Sequence, residues 1–289
     1  MKILVIGATG RVGRHIIPAL LAKGHKVRAL TRSAATAQMA PEGIEASVGN
    51  LEDPMGLGAA FDGIDGVFLL NALSPSELQQ GLTALEWTRR ARAVKIVYLS
   101  VQGADDLLHV PHFANKAAME RAIRKSGIDY TFLEPNNFFQ NDYMCREALL
   151  EYGLYPQPLG CRGLSRVDTR DVADAAANAF TDPWASNGTF IVGGPDVLTS
   201  DAIASTWAQA LGSGVAAMDD LDTWEGESLA MQPDWLVFDL RLMYEWVQEH
   251  GMPVNPSDRE RTERLMGHPA RPFSAFVAET ARAWKEAGT

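Results

Sequence analysis

Short apolar runs alternate with amphipathic stretches of helix length along the first half of the chain. Residues 3–6 form an unbroken apolar run typical of a buried strand, whereas Val12, Ile16 and Leu20 repeat at helical spacing. The predicted strands are 2–6, 26–31, 44–48, 66–70, 95–100 and 129–133, and the predicted helices are 11–23, 75–92 and 112–125. This alternation predicts an α/β fold with a Rossmann-type, doubly wound parallel sheet.

Beyond about residue 150 this regular alternation gives way to a more mixed pattern. Prolines and glycines interrupt residues 154–163, and the C-terminal residues read as helices broken at Pro233, at 251–256 and at 267–272. We therefore predict a Rossmann-type domain over residues 1–150. A smaller mixed α/β region over 151–289, partly interleaved with the first, is expected on the substrate side.

The composition excludes several classes of function. A formal net charge of −10 opposes binding to a polyanion, so we expect no nucleic-acid partner. No apolar run approaches the roughly 18 residues of a membrane span, and the run after Lys2 is too short for a signal peptide. We therefore expect a cytoplasmic protein. Two cysteines and six scattered histidines suggest neither a disulfide framework nor a metal site.

A glycine-rich loop follows the first predicted strand and opens the first predicted helix. Its glycines, Gly7, Gly10 and Gly13, have the spacing G-x-x-G-x-x-G. They would permit a tight turn, a close approach of the backbone to a pyrophosphate, and close packing of helix against strand. The N–H groups at the helix start would face the phosphates. The residues predicted to bind a dinucleotide here are Gly7, Thr9, Gly10, Arg11, Val12 and Gly13.

The end of the second predicted strand distinguishes between the two nicotinamide cofactors. An NAD site needs a carboxylate there to accept hydrogen bonds from the ribose 2′-hydroxyl. Residues 28–33 contain no acid, and Arg32 is placed where its guanidinium could pair with a 2′-phosphate. We therefore predict NADP(H) as the cofactor, against the alternative that Arg32 is an ordinary surface residue.

Two further loops should reach the cofactor, because ligands of such sheets lie over the carboxyl ends of the strands. The loop after the third strand would bracket an adenine, and the loop after the fourth would line a ribose. The residues concerned are Asn50, Leu51, Leu70, Asn71 and Ala72.

At this point the sequence resembles the NmrA-like branch of the atypical short-chain dehydrogenase/reductases. The segments that carry the resemblance are GATGRVG at 7–13, VRALTR at 27–32, HFANK at 112–116, DYTFLEPNNFFQN at 129–141 and VDTRDVA at 167–173. The resemblance implies the Rossmann fold and NADP(H) binding. Some members of this branch are NADPH-dependent reductases of quinones, dyes or phenylpropanoid-type compounds, and others are redox sensors without chemistry.

The chain departs from the ordinary pattern at the catalytic pair. Ordinary short-chain dehydrogenases carry Tyr-x-x-x-Lys, where the Tyr is the general acid, whereas this chain has His112-x-x-x-Lys116. The resemblance implies that Lys116 binds the nicotinamide ribose and that Ser100 occupies the region of the catalytic serine, although a serine is also common at the end of a strand. His112 would donate the proton, or it packs at the helix start and water supplies the proton.

The segment after the sixth predicted strand would line the pocket for the nicotinamide and the substrate. Its candidate residues are Pro135, Asn136 and Phe138, although the aromatic side chains there could equally belong to the core.

Two functional hypotheses remain open. The first is an NADPH-dependent reductase that transfers hydride to a planar or aromatic small molecule such as a quinone, an enone or a dye. The second is a non-catalytic NADP(H) sensor that regulates a partner. A nucleotide-sugar epimerase is disfavoured, because those enzymes rely on Tyr and Lys together. A homodimer is left open.

Overall fold

The computed structural model describes residues 1–38 and 43–287. Its strands are β1 (Lys2–Val5), β2 (Lys26–Thr31), β3 (Glu45–Val48), β4 (Gly66–Leu69), β5 (Lys95–Leu99), β6 (Asp129–Pro135), β7 (Leu154–Tyr155), β8 (Gly188–Val192) and β9 (Ala216–Ala217). Seven of them form one sheet in the order β3-β2-β1-β4-β5-β6-β8. The pairs from β3 to β6 are all parallel, which confirms the predicted doubly wound sheet.

The helices of the described residues include those predicted over 11–23, 75–92 and 112–125, together with short helices at 34–38 and 58–61 that the sequence did not predict. They are α1 (Gly13–Ala22), α2 (Ala34–Gln38), α3 (Gly58–Phe61), α4 (Glu77–Arg90), α5 (Pro111–Ser126), α6 (Thr169–Ala179), α7 (Ser200–Leu211), α8 (Leu221–Leu229), α9 (Asp234–His250), α10 (Pro256–Met266) and α11 (Phe273–Ala287). The C-terminal helices break at the predicted proline and glycine positions. No helix in the described ranges is both long and apolar enough to cross a membrane.

A core of aliphatic and aromatic side chains holds α4 and α5 against one face of the sheet. Phe132 on β6, Tyr98 on β5 and Met119 on α5 belong to this cluster, and each is fully buried. Tyr98 and Phe132 are partners in the β5–β6 register, and their rings meet edge to face with centroids 6.2 Å apart. This packing fixes the height of α5 along the carboxyl ends of β5 and β6.

The chain divides into two compact units. The first contains Met1–Pro135, Thr169–Ile191 and Arg261–His268, and the second contains Asn136–Asp168, Val192–Glu260 and Pro269–Thr289. The sequence prediction set one boundary near residue 150 with partial interleaving, whereas here the chain leaves the first unit after Pro135.

The second unit is organised around a buried ion pair. The Arg166 guanidinium donates to Asp142 Oδ1 at 2.7 Å, and neither side chain is exposed. The indole N–H of Trp207 donates to the other carboxylate oxygen at 3.0 Å, and Phe273 lies under the guanidinium at 5.2 Å. Every charge in this cluster is therefore paired or hydrogen-bonded, as burial requires. Trp207 is 0% exposed and is therefore a core residue.

Candidate active site

The glycine loop adopts the tight turn that the sequence predicts. Gly7 has a φ of +83°, and a Cβ at this position would lie 2.9 Å from the Leu70 carbonyl oxygen. A Cβ on Gly13 would overlap the carbonyl oxygen of Gly7. A Cβ on Gly10 would meet only that same oxygen, at 3.3 Å. Gly7 and Gly13 are thus needed by the fold itself, whereas Gly10 leaves space above the turn.

The start of α1 is suited to an anion. Val12, the residue before the helix, makes no side-chain cap, and the first turn contains no acidic residue. Helix N-termini carry partial positive charge and N–H groups without intrahelical partners. Thr9 and Arg11 are exposed beside this helix end. The loop therefore has the features of a phosphate cradle.

Asn71 has the most informative side chain near this loop. Only Leu70, whose carbonyl oxygen lies against the Gly7 turn, separates it from the end of β4. Asn71 is only 4% exposed, yet its Oδ1 and Nδ2 atoms have no hydrogen-bond partner among the described residues. Leaving a buried amide unpaired costs about 1–3 kcal/mol. A bound ligand with polar groups would satisfy this amide, so the residues present fit a dinucleotide. Ala72, next to it, is exposed.

Arg32 lies at the end of β2, one residue beyond Thr31, and its side chain is exposed. Within the described part of the chain, no carboxylate lies within ion-pair distance of it. By contrast, Arg28 on the same strand is buried and is bound by Glu45 and by backbone carbonyls of the α3 turn. Arg32 is therefore available for a phosphate in a way that Arg28 is not.

The loop after β3 is shaped by Asn50. Its side-chain oxygen accepts a hydrogen bond from the backbone N–H of Glu52 at 3.1 Å, which closes a turn, and the residue remains exposed. Leu51 is 7% exposed and belongs to the core cluster. Contact of either residue with an adenine stays a prediction.

Lys116 occupies a buried ion pair that the sequence did not predict. Its Nζ lies 2.9 Å from Glu77 Oε1 and 3.1 Å from the carbonyl oxygen of Leu99, and it lies 5.2 Å from the Tyr98 ring centroid. Burial alone would lower the pKa of the Lys116 ammonium, but Tyr98 and Glu77 outweigh burial and raise it. Lys116 is therefore charged, and its ammonium group donates to the Glu77 carboxylate and the Leu99 carbonyl.

Tyr98 brings a tyrosine hydroxyl close to this lysine from a different element. The residue is fully buried, and burial raises the pKa of the phenol to about 12. A phenol with this pKa is a poor acid near neutral pH. Tyr98 does not replace the missing catalytic tyrosine.

His112 is the second residue of α5 and is half-buried, with its ring 4.6 Å from that of Phe113. The predicted proton transfer from His112 stays a prediction.

Ser100 lies at the carboxyl end of β5 beside two carboxylic acids. Its backbone N–H donates to the Leu133 carbonyl at 2.8 Å, and its side chain is 5% exposed. Glu120 on α5 is 2% exposed and is paired through Oε2 with Arg124 at 2.9 Å. Burial raises the pKa of Glu120, and the Ser100 hydroxyl and Arg124 oppose this effect. Burial, reinforced by Glu120, raises the pKa of Glu134 on β6 to about 8.

The remaining predicted residues lie at and after the end of β6. Pro135 is buried in the first unit, and its carbonyl accepts from Gln102 N–H at 3.1 Å. Asn136 belongs to the second unit, where its amide donates to the Met252 carbonyl at 2.7 Å. Phe138, in the same unit, is half-buried, whereas Phe139 is core. Contact of these residues with the nicotinamide stays a prediction.

Sequence reasoning missed the acids Glu77, Glu120 and Glu134. A signal for Glu134 was present, because it is the one charged residue between Thr131 and Pro135 in an otherwise apolar strand end. Glu77 and Glu120 carry no such signal, since acids are ordinary on helices and only packing shows that these two are buried.

Comparisons with known proteins agree with this geometry. The sequence model of the NmrA-like family matches residues 1–270. An NAD(P)H azoreductase from Xenophilus azovorans is 28% identical, over 98% of this chain and 99% of the relative. An NADPH-dependent quinone oxidoreductase from Escherichia coli, solved with NADPH, superposes with a TM-score of 0.86 at 21% identity, covering 97% and 99% of the two chains.

A third protein, the triphenylmethane reductase of Citrobacter sp. solved with NADP(H), superposes with a TM-score of 0.84 at 22% identity, covering 97% and 100% of the two chains. At these identities the two structures establish the shared fold. The match over residues 1–270 shows that the chain belongs to the NmrA-like family, as the sequence motifs predicted.

Proposed function

We propose that this member of the NmrA-like family is an NADPH-dependent oxidoreductase that transfers hydride to a planar or aromatic acceptor of the quinone, enone or dye kind. The observation that carries the proposal is the buried, unpartnered amide of Asn71 beside the Gly7 turn. Such an amide is costly unless a ligand pairs with it. The azoreductase and the quinone and triphenylmethane reductases support the choice of acceptor class.

Different residues of the chain would bind different parts of the cofactor. The Gly7–Gly13 loop and the start of α1 would hold the pyrophosphate, and the exposed guanidinium of Arg32 would hold a 2′-phosphate. Asn71 would hydrogen-bond the part of the cofactor that lies over β4. NADPH supplies a hydride when bound, and the protein supplies its orientation.

One observation favours the alternative of a non-catalytic NADP(H) sensor. Glu77 and Leu99 engage the Lys116 ammonium in the protein interior, so retention of this lysine is explained by stability alone. A sensor would bind NADPH through the same loop without reducing any acceptor.

The test combines binding with turnover. NADPH and NADH binding are measured by calorimetry, and NADPH consumption is followed with a panel of quinones, enones, azo dyes and triarylmethane dyes. We expect tighter binding of NADPH than of NADH and reduction of at least one acceptor class. NADPH binding without turnover on the whole panel would favour the sensor, and failure to bind either cofactor would contradict both functions.

A further inference from the structure

Most of the chain's net negative charge lies in one pair of helices. Helices α8 and α9, with the residues that lead into and join them, occupy residues 219–250, and this segment holds nine acidic residues and one arginine, Arg241. The whole chain has 36 acidic residues against 26 lysines and arginines, a net charge of −10. The rest of the chain is therefore close to neutral, and the α8–α9 pair is the main source of the protein's negative field.

Arg241 does not cancel the charge of this segment. Its guanidinium lies 2.9 Å from Asp222 Oδ1 and 2.8 Å from Glu225 Oε2 on α8, and 2.8 Å from Glu245 Oε1 on α9. One positive charge is thus shared by three carboxylates. Asp234, the first residue of α9, is exposed and has no cationic side chain within ion-pair distance among the described residues. The helix pair therefore keeps an excess of negative charge at its surface.

The same helix pair exposes large apolar side chains. Trp235 and Phe238 in the first turns of α9 are 37% and 59% exposed, and Leu229 and Met231 at the α8–α9 junction are exposed as well. Residues three or four apart are neighbours on a helix surface, so Trp235 and Asp234 both adjoin Phe238. Two aromatic rings and a carboxylate therefore share one exposed face. We call these four apolar side chains, with Asp234, the acidic aromatic patch.

The two exposed rings are not part of the interior of the helix pair. Trp224 on α8 and Tyr244 on α9 are buried, and their rings meet edge to face with centroids 4.9 Å apart. Val237, which lies between Trp235 and Phe238 in the sequence relative to the helix axis on the other side, is buried too. The packing that holds α8 against α9 thus uses other residues, and Trp235 and Phe238 are accessible from solvent.

The charge and size of the acidic aromatic patch indicate what it binds. A second copy of the chain would bring two acidic surfaces together, and a polyanion or an anionic membrane would be repelled in the same way. A protein interface typically engages about 20–30 residues on each side, whereas this patch offers four exposed apolar side chains. A small organic cation fits both its charge and its size.

Aromatic rings attract cations through their faces, most strongly that of tryptophan. We propose that the acidic aromatic patch binds aromatic organic cations, and that such cations are preferred over anionic molecules as acceptors of this protein. The binding stands on the patch alone, whereas the preference among acceptors rests on the proposed reductase function. Because binding at the patch raises the local concentration of the acceptor, it acts on the KM of the acceptor.

Two dyes with the same aromatic core test the charge selectivity. Crystal violet is a cationic triarylmethane dye, and a sulfonated triarylmethane dye of net negative charge is its matched probe. Titration calorimetry of the full-length protein without NADPH should show that crystal violet binds about tenfold tighter or more at low ionic strength. Raising the ionic strength from about 0.01 M to about 1 M should remove most of this difference, because the Debye length shortens from about 30 Å to about 3 Å.

A double substitution tests the aromatic rings. Trp235→Ser combined with Phe238→Ser should weaken the binding of crystal violet roughly threefold to thirtyfold, the range that cation–π contacts provide. It should raise the KM for crystal violet in NADPH consumption by the same factor. Tyr152→Ser, at another exposed aromatic residue, is the control and should leave both quantities near the wild-type values. Melting temperatures of the variants verify that each is folded.

A second pair of variants tests the carboxylates. Asp234→Asn combined with Glu245→Gln should weaken the binding of crystal violet roughly fivefold at low ionic strength. The control is Asp62→Asn combined with Glu86→Gln in the first unit, which removes the same charge from one exposed acid and from one acid paired with arginine. This control should change the affinity for crystal violet much less, because attraction at the patch depends on nearby charges.

Three results would overturn the proposal. Equal affinity for the two dyes would remove the charge selectivity, and an equal loss in the charge control would show attraction by net charge alone. Unchanged affinity after substitution of both rings would show that the dye binds elsewhere. A basic amphipathic peptide that binds the wild type while crystal violet does not would likewise assign the patch to a protein partner.

Failure of the patch and failure of the reductase are distinguishable. Selective binding of crystal violet without NADPH consumption on any acceptor would contradict the reductase and the acceptor preference while the binding site stands. Reduction of quinones or dyes without selective binding of crystal violet would contradict the patch while the reductase stands.

Discussion

The ammonium of Lys116 lies 2.9 Å from the carboxylate of Glu77, and both side chains are almost completely buried. The helix position that carries the second half of the catalytic pair in ordinary short-chain dehydrogenases thus holds an interior ion pair between α5 and α4. Glu77 Oε2 has no hydrogen-bond partner among the described residues, so Lys116 is the main source of compensation for this carboxylate. The pair ties the two helices together beneath the candidate site.

Removal of one partner from this pair should strongly destabilise the fold. We expect Glu77→Gln to lower the free energy of unfolding by roughly 3–5 kcal/mol, because an uncompensated buried ammonium remains. Denaturant unfolding measures this change. The matched control is Glu86→Gln on the same helix, where an exposed carboxylate pairs with Arg89 and the substitution should change little. Adding Lys116→Met to Glu77→Gln should recover most of the loss, and an additive further loss would contradict a direct pairing.

Alanine substitutions at Gly10 and Gly13 should affect stability and NADPH affinity differently. Gly13→Ala places a Cβ on the Gly7 carbonyl, so it should lower both the melting temperature and NADPH affinity. Gly10→Ala meets only that oxygen at 3.3 Å, so the protein should fold while NADPH affinity falls, because the methyl group occupies space above the turn. Thermal unfolding and calorimetry measure the two effects. Gly226→Ala, within α8 and with nothing near its Cβ, should be neutral or slightly stabilising.

Arg32 should determine cofactor preference without affecting stability. We expect Arg32→Ala to weaken NADPH binding roughly tenfold to a hundredfold, the range for a hydrogen bond to a charged group, and to leave NADH binding unchanged. The reason is that only NADPH carries the 2′-phosphate. Titration calorimetry with both cofactors measures the change, and Arg282→Ala, at an exposed position on α11, is the control. An equal loss for both cofactors would refute the assignment.

Asn71 should show opposite effects on stability and binding. Asn71→Leu removes a buried amide that lacks a hydrogen-bond partner among the described residues. The free energy of unfolding of the protein without cofactor should therefore rise by about 1–3 kcal/mol. NADPH binding should weaken at least tenfold in the same variant, because the ligand loses its polar partner. Unfolding and calorimetry on one preparation test both halves. A variant that is less stable but binds normally would show that the amide serves the fold.

Glu134 should make the stability of the protein depend on pH. Its pKa is raised from an ordinary 4.5 to about 8, so the folded state binds this proton more tightly than the unfolded state does. Stability therefore falls as the pH rises from about 4.5 to about 8, because folding then requires either an ionised buried carboxyl or a bound proton. The melting temperature of Glu134→Gln minus that of wild type should increase as the pH rises from about 4.5 to about 8. Above that pH the difference should stay constant. A constant difference throughout would mean that the pKa of Glu134 is not raised.

The sequence alone determined the central strands, most of the long helices and the glycine-rich turn. Strand and helix periodicity and the G-x-x-G-x-x-G spacing are local features, and each depends on residues within a few positions of one another. For that reason the predicted strands β1 to β6, the helix starting after Gly10 and the breaks between the C-terminal helices were confirmed. The family resemblance, which rests on short contiguous segments, was confirmed for the same reason.

Only the tertiary structure decided which distant side chains meet. The addition of β8 beside β6, the pairing of Lys116 with Glu77, and the grouping of Ser100 with Glu120 and Glu134 each join separate elements. Such contacts depend on strand register and on the height at which a helix packs against the sheet. The hydrophobic pattern of a single element specifies neither the register nor this height. A shift of one residue in register would move Glu134 to the opposite face of the sheet while leaving its strand pattern unchanged.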